Sequence, residues 1–468
     1  VTGWKEHKEQ QLDQWIEQIR QQHDIPGMAV ALAEQGDMVY ARGFGCRDQE
    51  QGLAASENTI FGTASVTKSF TAAAITLLAQ EGRLALGERV RTYLPEFTTG
   101  KALWDRAVTI QHFLTHSAGL PPSAARRYAV VRSMTEDPSA AVLQAQGKWD
   151  AYLDYPPIDS CEDLMQFWKD RPQRLLGPCG GQFSYSNDSY ALLGCIVERV
   201  SGMPFSAFVE QRLLGPLGVE RSFFSPERLG TYSDVTQLYM RDMEGSVIPA
   251  PQWTHAPAML GSGYLKSTVT DLVRCASLYL DGSPLFNAQS RTNMIAPYIP
   301  CGRGTYYGHG LMVHPNYHGV TVVEHGGSQK GVSAAFGFVP ERNVAAAVLT
   351  NIVEVPANRI WQAAVNLALD LPMEEPLSPE PVYQAREEEL QRWVGVYCSD
   401  EDVSLEVVLK DGRAYLLTEG KETLIRPSGP ATGAIAYRGG ETGIQFVPGC
   451  DGRVAAAFYG YRLVRRVQ

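Results

Sequence analysis

Long apolar runs are missing from this 468-residue sequence. No stretch approaches the roughly eighteen consecutive apolar residues that a membrane-crossing helix needs. The opening VTGWKEHKEQQLDQWIEQIRQQHDIPG is polar and helical in pattern, without the apolar core of a signal peptide. The expectation therefore leans to the cytoplasm, with a leader already removed as the alternative. Clusters of lysine and arginine are also missing, and the net charge is -10. That balance argues against nucleic acid as the main partner and gives no support to an anionic membrane. The eight cysteines are scattered, with no CxxC pair and no zinc-like spacing, so they read as buried free thiols, Cys179 lying close to a candidate motif. There is no GxSxG nucleophile elbow, Walker loop or GxGxxG run. His112 and His116 stand four apart but lack the HExxH glutamate. No metal and no cofactor are expected.

The composition, 44% hydrophobic and 20% charged, is that of a folded globular chain, and the length asks for more than one hydrophobic core. Residues 5–23 place Leu12, Trp15, Ile16 and Ile19 on one helical face. MAVALAEQGDMVYARGFG reads as two strands around a Gln35-Gly36-Asp37 turn. FGTASVTKSFTAAAITLLAQEGRLAL gives a buried helix of about four turns from near Ser65, with Gly82 placed to end it. Residues 123–178 read as an inserted lid or pocket wall, whose Trp149, Tyr152, Tyr155 and Trp168 suit either a substrate pocket or packing. Residues 189–214 are helical. YGHGLMV, VTVVEHGG, SAAFGFVP and VAAAVLTN read as four strands of an antiparallel sheet, closed by a helix over 355–370. His314 and His318, flanking Pro315 and Asn316, read as a loop. Residues 372–390 are rich in Pro and Glu and read as a linker. The KDG and CDG turns beyond it mark hairpins of a small all-β barrel or sandwich over 391–468.

Three patterns can carry chemistry. In Ser65-Val66-Thr67-Lys68 the hydroxyl and the amine share a helical face, and an amine buried among FTAAAITLL can lose its proton and act as base. Tyr185-Ser186-Asn187 sits on a loop before a helix, where the phenol can pass a proton and the amide can orient substrate. His325-Gly326-Gly327-Ser328 follows the strand VTVVE. Its glycines let a substrate backbone lie close, and the N–H of Ser328 pairs with that of Ser65 as oxyanion donors. Each pattern alone also fits a bland role: a capping serine, a turn asparagine, a hairpin turn.

Taken in order, the three patterns resemble those of the serine β-lactamase and penicillin-binding-protein superfamily. VTIQHFLTHSAGLPP, GSGYLKSTVTDLVRCASLYL and VPERNVAAAVLTN extend the resemblance over most of residues 15–370. It implies an α/β fold: an antiparallel sheet flanked by helices, an all-helical subdomain, and the site between them. By motif, Ser65 attacks a carbonyl, Lys68 and Tyr185 share the base and acid work in an order the motif leaves open, and Asn187 binds the substrate amide. His325 takes the place of the lysine in the Lys-Thr-Gly triad. Histidine is only partly charged at neutral pH, so a dedicated β-lactamase ranks lower. The His-x-Gly form is similar to that of D-aminopeptidases, alkaline D-peptidases and esterases, and WVGVY with its sequel resembles a lipocalin-like C-terminal domain.

The expectation is a catalytic domain over 1–371, a linker over 372–390 and a barrel over 391–468. The chemistry expected is acyl transfer from Ser65 to water on a small-molecule or peptide substrate, first of all peptides or amides with D-residues. The alternatives are a carboxylesterase, a DD-carboxypeptidase or weak β-lactamase, and a non-enzymatic sensor that is acylated but not released. The extra domain leaves room for a homo-oligomer.

Overall fold

The computed structural model describes residues 6–135, 137–401, 403–418, 420–437, 440–449 and 451–467, and every count below refers to them. Lys5, at the start of the expected first helix, and Cys450, in the expected CDG turn, lie outside them.

The first helix, α1 (Glu6–Gln22), buries Leu12, Ile16 and Ile19, while Trp15 is half-buried at its rim. Strands β1 (Gly27–Glu34) and β2 (Asp37–Asp48) follow, joined through Gln35 at φ 53° and Gly36 at φ 87°. Two successive positive φ values make the tight turn that matches strand twist, and glycine at the second removes the steric cost. With β3 (Leu53–Ala54), β4 (Ile299–Gly302), β5 (Thr305–Tyr307), β6 (Met312–Tyr317), β7 (Val320–Gln329), β8 (Val332–Val339) and β9 (Val344–Thr350) they form one nine-stranded antiparallel sheet. Its order is β3-β2-β1-β9-β8-β7-β6-β5-β4, with Val30 opposite Val348 and Gly327 opposite Ala334.

β9 is buried at every position, and β8 likewise, because both faces of the sheet are covered. Ala29, Ala31, Phe336, Ala345, Ala347 and Leu349 face one core, which includes helix α2 (Thr67–Gln80). Met28, Val30, Leu32, Ala335, Ala346 and Val348 face the other, under α1 and helix α3 (Ala357–Ala368). Trp361 of α3 lies across Gly337, where a Cβ would come 2.5 Å from the indole, and donates its N–H to Ala346 O at 3.0 Å. The segment between β3 and β4 carries many of the chain's helices, with two small antiparallel pairings, Phe61–Gly62 with Lys266–Ser267 and Tyr239–Arg241 with Val247–Pro249.

Three readings are corrected. YGHGLMV is not one strand: residues 308–311 turn between β5 and β6, with Gly310 at φ 72°. A Cβ there would lie 2.5 Å from Lys68 O, so the turn packs directly on α2. His314 belongs to β6 rather than to a loop, because the sheet continues through Pro315. The cysteines are not all free: Cys161 and Cys195 form a disulfide between the inserted segment and the helix after Tyr185. Cys275 and Cys301 are buried thiols, and Cys46, Cys179 and Cys398 are half-buried ones.

The tail of the Pro/Glu-rich stretch folds into a short helix, Glu387–Trp393, whose Leu390 and Trp393 join the core of a closed eight-stranded barrel running from Gly395–Cys398 to Arg462–Arg466. Asp411 and Gly412, both at positive φ, make one of its hairpin turns. No single helix is long and apolar enough to cross a membrane among the described residues.

Candidate active site

Ser65 sits in a single 3-10 turn, Ala64–Val66, that leads into α2. Ala64 is held at φ 46°, a left-handed value that costs a residue with a Cβ about 1–2 kcal/mol. Its carbonyl accepts from the Thr67 hydroxyl at 2.7 Å, which locks the turn and leaves Ser65 half-exposed. Strand β7 closes against this turn at Gly327, where a Cβ would lie 2.3 Å from Thr63 O. No side chain other than hydrogen fits there.

Lys68 follows one turn later and is fully buried. Its Nζ has three oxygen partners: Ser65 Oγ at 3.2 Å, Asn187 Oδ1 at 2.8 Å and Ser262 O at 2.6 Å. Burial pulls its pKa well below the ordinary lysine value, and the guanidinium groups of Arg462 and Arg126 push the same way, against Glu401. A lysine without its proton has a lone pair to offer.

The Tyr185 phenol faces the Ser65 hydroxyl, which pulls its pKa down. Burial raises its pKa, outweighing that pull and the nearby Arg462, so the phenol keeps its proton. Its ring centroid lies 4.7 Å from Lys68 Nζ and 5.2 Å from the Arg462 guanidinium. His116 packs on its back at 4.4 Å and accepts the Ser186 N–H on Nδ1 at 3.1 Å; burial keeps its imidazole neutral.

The structure therefore brings Ser65, Lys68, Tyr185, Asn187 and Gly327 together. His325 departs from expectation. It is buried on β7, its Nε2 shares a hydrogen with the Tyr307 hydroxyl at 3.0 Å, and its Nδ1 contacts Gly326 O at 2.6 Å. Burial, helped by Lys68, drops its pKa to about 3, so the ring is neutral rather than partly charged. Ser328 is exposed and pairs across the sheet with Ser333. Trp168 is core: its N–H donates to buried Asp188 Oδ2 at 2.9 Å, beside Ser123, and so ties both ends of the inserted segment to the residue after Asn187. His112 caps its own helix through Thr109. Burial pushes the Cys179 thiol up to about 11, which leaves no thiolate at neutral pH.

Two residues of the site come from the barrel, and the sequence carries no local signal for them. Glu401, in the loop after Gly395–Cys398, accepts from Asn187 Nδ2 on Oε1 at 3.1 Å. Its other oxygen takes the Nε–H of Arg462. The hairpin that carries Arg462 is itself fastened to the segment before Asn187, with Tyr185 N–H donating to Tyr461 O at 2.8 Å and Leu463 N–H to Ser184 Oγ at 3.2 Å.

The chain is similar to known proteins. The family model for beta-lactamase matches residues 12–369. Penicillin-binding protein 4 of Amycolatopsis lactamdurans is 28% identical over 345 residues, 71% of this chain and 82% of that protein. The octameric penicillin-binding protein homologue from Pyrococcus abyssi is 28% identical with a TM-score of 0.69, over 97% of this chain and 99% of that one. A D-stereospecific amidohydrolase from Streptomyces sp. has the same fold at a TM-score of 0.57 and 23% identity, over 74% of this chain and 94% of that one.

Proposed function

The chain belongs to the beta-lactamase family and is a serine hydrolase, and from that premise we propose that it cleaves peptides or amides containing D-residues through an acyl-enzyme on Ser65. The observation that carries the mechanism is the contact of Lys68, fully buried and with its pKa drawn down by that burial, with Ser65 Oγ at 3.2 Å. As Oγ attacks the carbonyl carbon, its proton passes to Lys68 Nζ. The oxyanion is received by the backbone N–H groups of Ser65 and Ser328. Tyr185, which keeps its phenolic proton, gives it to the leaving nitrogen as the C–N bond breaks, and the Lys68 ammonium replaces it. Water then enters by the reverse route and frees Ser65. Lys68 is the first base in this scheme, because the raised pKa of Tyr185 denies it a standing phenolate.

Two observations support the preference for D-residues. A neutral His325 stands where a lysine would give a fixed charge, the form that resembles D-aminopeptidases and alkaline D-peptidases. The Streptomyces amidohydrolase that shares the fold is D-stereospecific by name. The Pyrococcus homologue is octameric, which supports a homo-oligomer here, to be read by light scattering of the purified chain.

The test is a hydrolysis panel followed by intact mass: D- and L-aminoacyl anilides, a D-Ala-D-Ala peptide, p-nitrophenyl esters and nitrocefin, with Ser65→Ala as control. Faster turnover of D- than of L-anilides is expected, with a transient acyl adduct. Turnover of esters alone would make the chain a carboxylesterase. A stable one-to-one adduct without turnover would make it a sensor, and Ser65→Ala at the wild-type rate would sink the mechanism.

A further inference from the structure

A lysine amine without its extra proton has two N–H bonds and one lone pair. Around Lys68 Nζ there are three oxygens, and only one, Ser65 Oγ, carries a proton that the lone pair could take. The other two, Asn187 Oδ1 and Ser262 O, are pure acceptors. When both accept, they absorb both N–H bonds, and the lone pair is left pointing at Ser65. The arrangement holds only if Asn187 presents oxygen and not nitrogen. A carboxamide turned by half a rotation fills the same space, so shape alone does not choose between the two orientations.

The far end of the amide makes the choice. Asn187 Nδ2 faces Glu401 Oε1 at 3.1 Å, and a carboxylate accepts but never donates. Burial pushes the Glu401 carboxyl up, but Arg462, Arg126 and Asn187 outweigh it and hold it below its ordinary value. With Glu401 in place the turned amide would set oxygen against carboxylate at one end. At the other it would aim Nδ2 at the very lone pair that must receive the Ser65 proton. Without Glu401 the first penalty vanishes and the second becomes a hydrogen bond that blocks the base. We propose that Glu401 of the barrel is a positioning residue for acylation: by holding Asn187 Nδ2 it keeps the Lys68 lone pair free for Ser65. The inference rests on Ser65 as nucleophile and Lys68 as base, as argued above.

Arg462 has a supporting place in this scheme. It fixes Glu401 through Oε2, and its own strand is bonded at Leu463 to Ser184, so the docked barrel delivers a pre-aimed carboxylate rather than a mobile one.

The experiment uses the full chain and p-nitrophenyl acetate, following burst and turnover together with intact mass. Glu401→Ala is expected to lower kcat about 10- to 100-fold with KM little changed, because alignment and not binding is lost. Glu401→Gln, whose Oε1 can still accept from Nδ2, restores kcat to within about threefold. It also removes the charge that raises the Lys68 pKa, so the acid limb of its kcat profile moves to lower pH. The pair Glu401→Ala with Asn187→Ala is no slower than Asn187→Ala alone, the non-additivity expected of one residue acting through another. Wild-type kcat in Glu401→Ala with Ser65 still acylated would overturn the inference alone, as would a double variant whose loss is the product of the single losses. Should Glu401→Ala fold poorly, the Gln variant decides through its pH limb, and an unmoved limb overturns the inference. A wild-type chain never acylated at Ser65 would overturn both this inference and the reading beneath it.

Discussion

The backbone N–H of Tyr185 donates to the carbonyl of Tyr461 at 2.8 Å, so the tyrosine proposed to handle protons is held by a hairpin of the barrel. Beside this bond, Leu463 N–H reaches Ser184 Oγ at 3.2 Å in a buried setting. Ser184→Ala leaves that N–H without its acceptor, at a cost of about 1–3 kcal/mol. The expected outcome is faster hydrogen exchange at 459–463 and a lower kcat at unchanged secondary structure. Unaltered exchange in that hairpin would show that the seam does not depend on this bond.

Lys68→Arg keeps a cation but cannot lose its proton at working pH. A drop in kcat/KM of about 10³-fold is expected. In the wild type, burial places the Lys68 pKa below its ordinary value, so activity should rise with pH through that lowered value rather than near the value of a free lysine. A pH profile of kcat/KM checks both statements. Retained activity in the arginine variant would remove Lys68 from the role of base.

Gly310 lies at φ 72° in the turn between β5 and β6, with room for no Cβ against Lys68 O. Gly310→Ala should therefore destabilise the fold by about 1–3 kcal/mol and slow turnover by shifting Lys68. Denaturant midpoints beside kcat give the answer, and a variant unchanged in both would mean that the turn moves away freely.

Next to it, His309 is fully buried, bonded to Gln111 Oε1 at 3.0 Å and stacked on Tyr298. Burial lowers its pKa to about 3. The unfolded chain thus binds the extra proton between about pH 6.5 and 3, and stability is full above that window and lost as pH falls through it. His309→Gln should flatten the loss by up to about 1.4 kcal/mol per pH unit, read from urea midpoints between neutral and acid pH. Identical slopes would count against it.

Much of the site was legible because its signals are local. Ser65 and Lys68 share one helical turn, Tyr185 and Asn187 flank a helix start, and Gly327 is required by one close approach. What the sequence concealed depends on distance. Glu401 in the stretch SDEDVSL reads as a turn carboxylate, and nothing near it says that it meets Asn187, 214 positions away. Cys161 and Cys195 belong to no spacing pattern, so only the packing of two helices reveals the bridge. YGHGLMV reads as a strand from its Tyr, Leu, Met and Val, yet the demand for a tight turn against α2 decides the backbone there. The motif puts His325 where the resemblance expects a lysine, but its burial, which holds the ring neutral, is a property of the folded sheet and not of the motif.

The barrel's place in the site also has a consequence for biosynthesis. Ser65 and Lys68 emerge from the ribosome well before Glu401 and Arg462. Until translation has passed Leu463 and the barrel has closed, Asn187 and Tyr185 lack their far-side partners. On the proposed mechanism a nascent chain thus carries Ser65 without the finished alignment around it, and acylation reaches its full rate only after the barrel through Leu463 has folded.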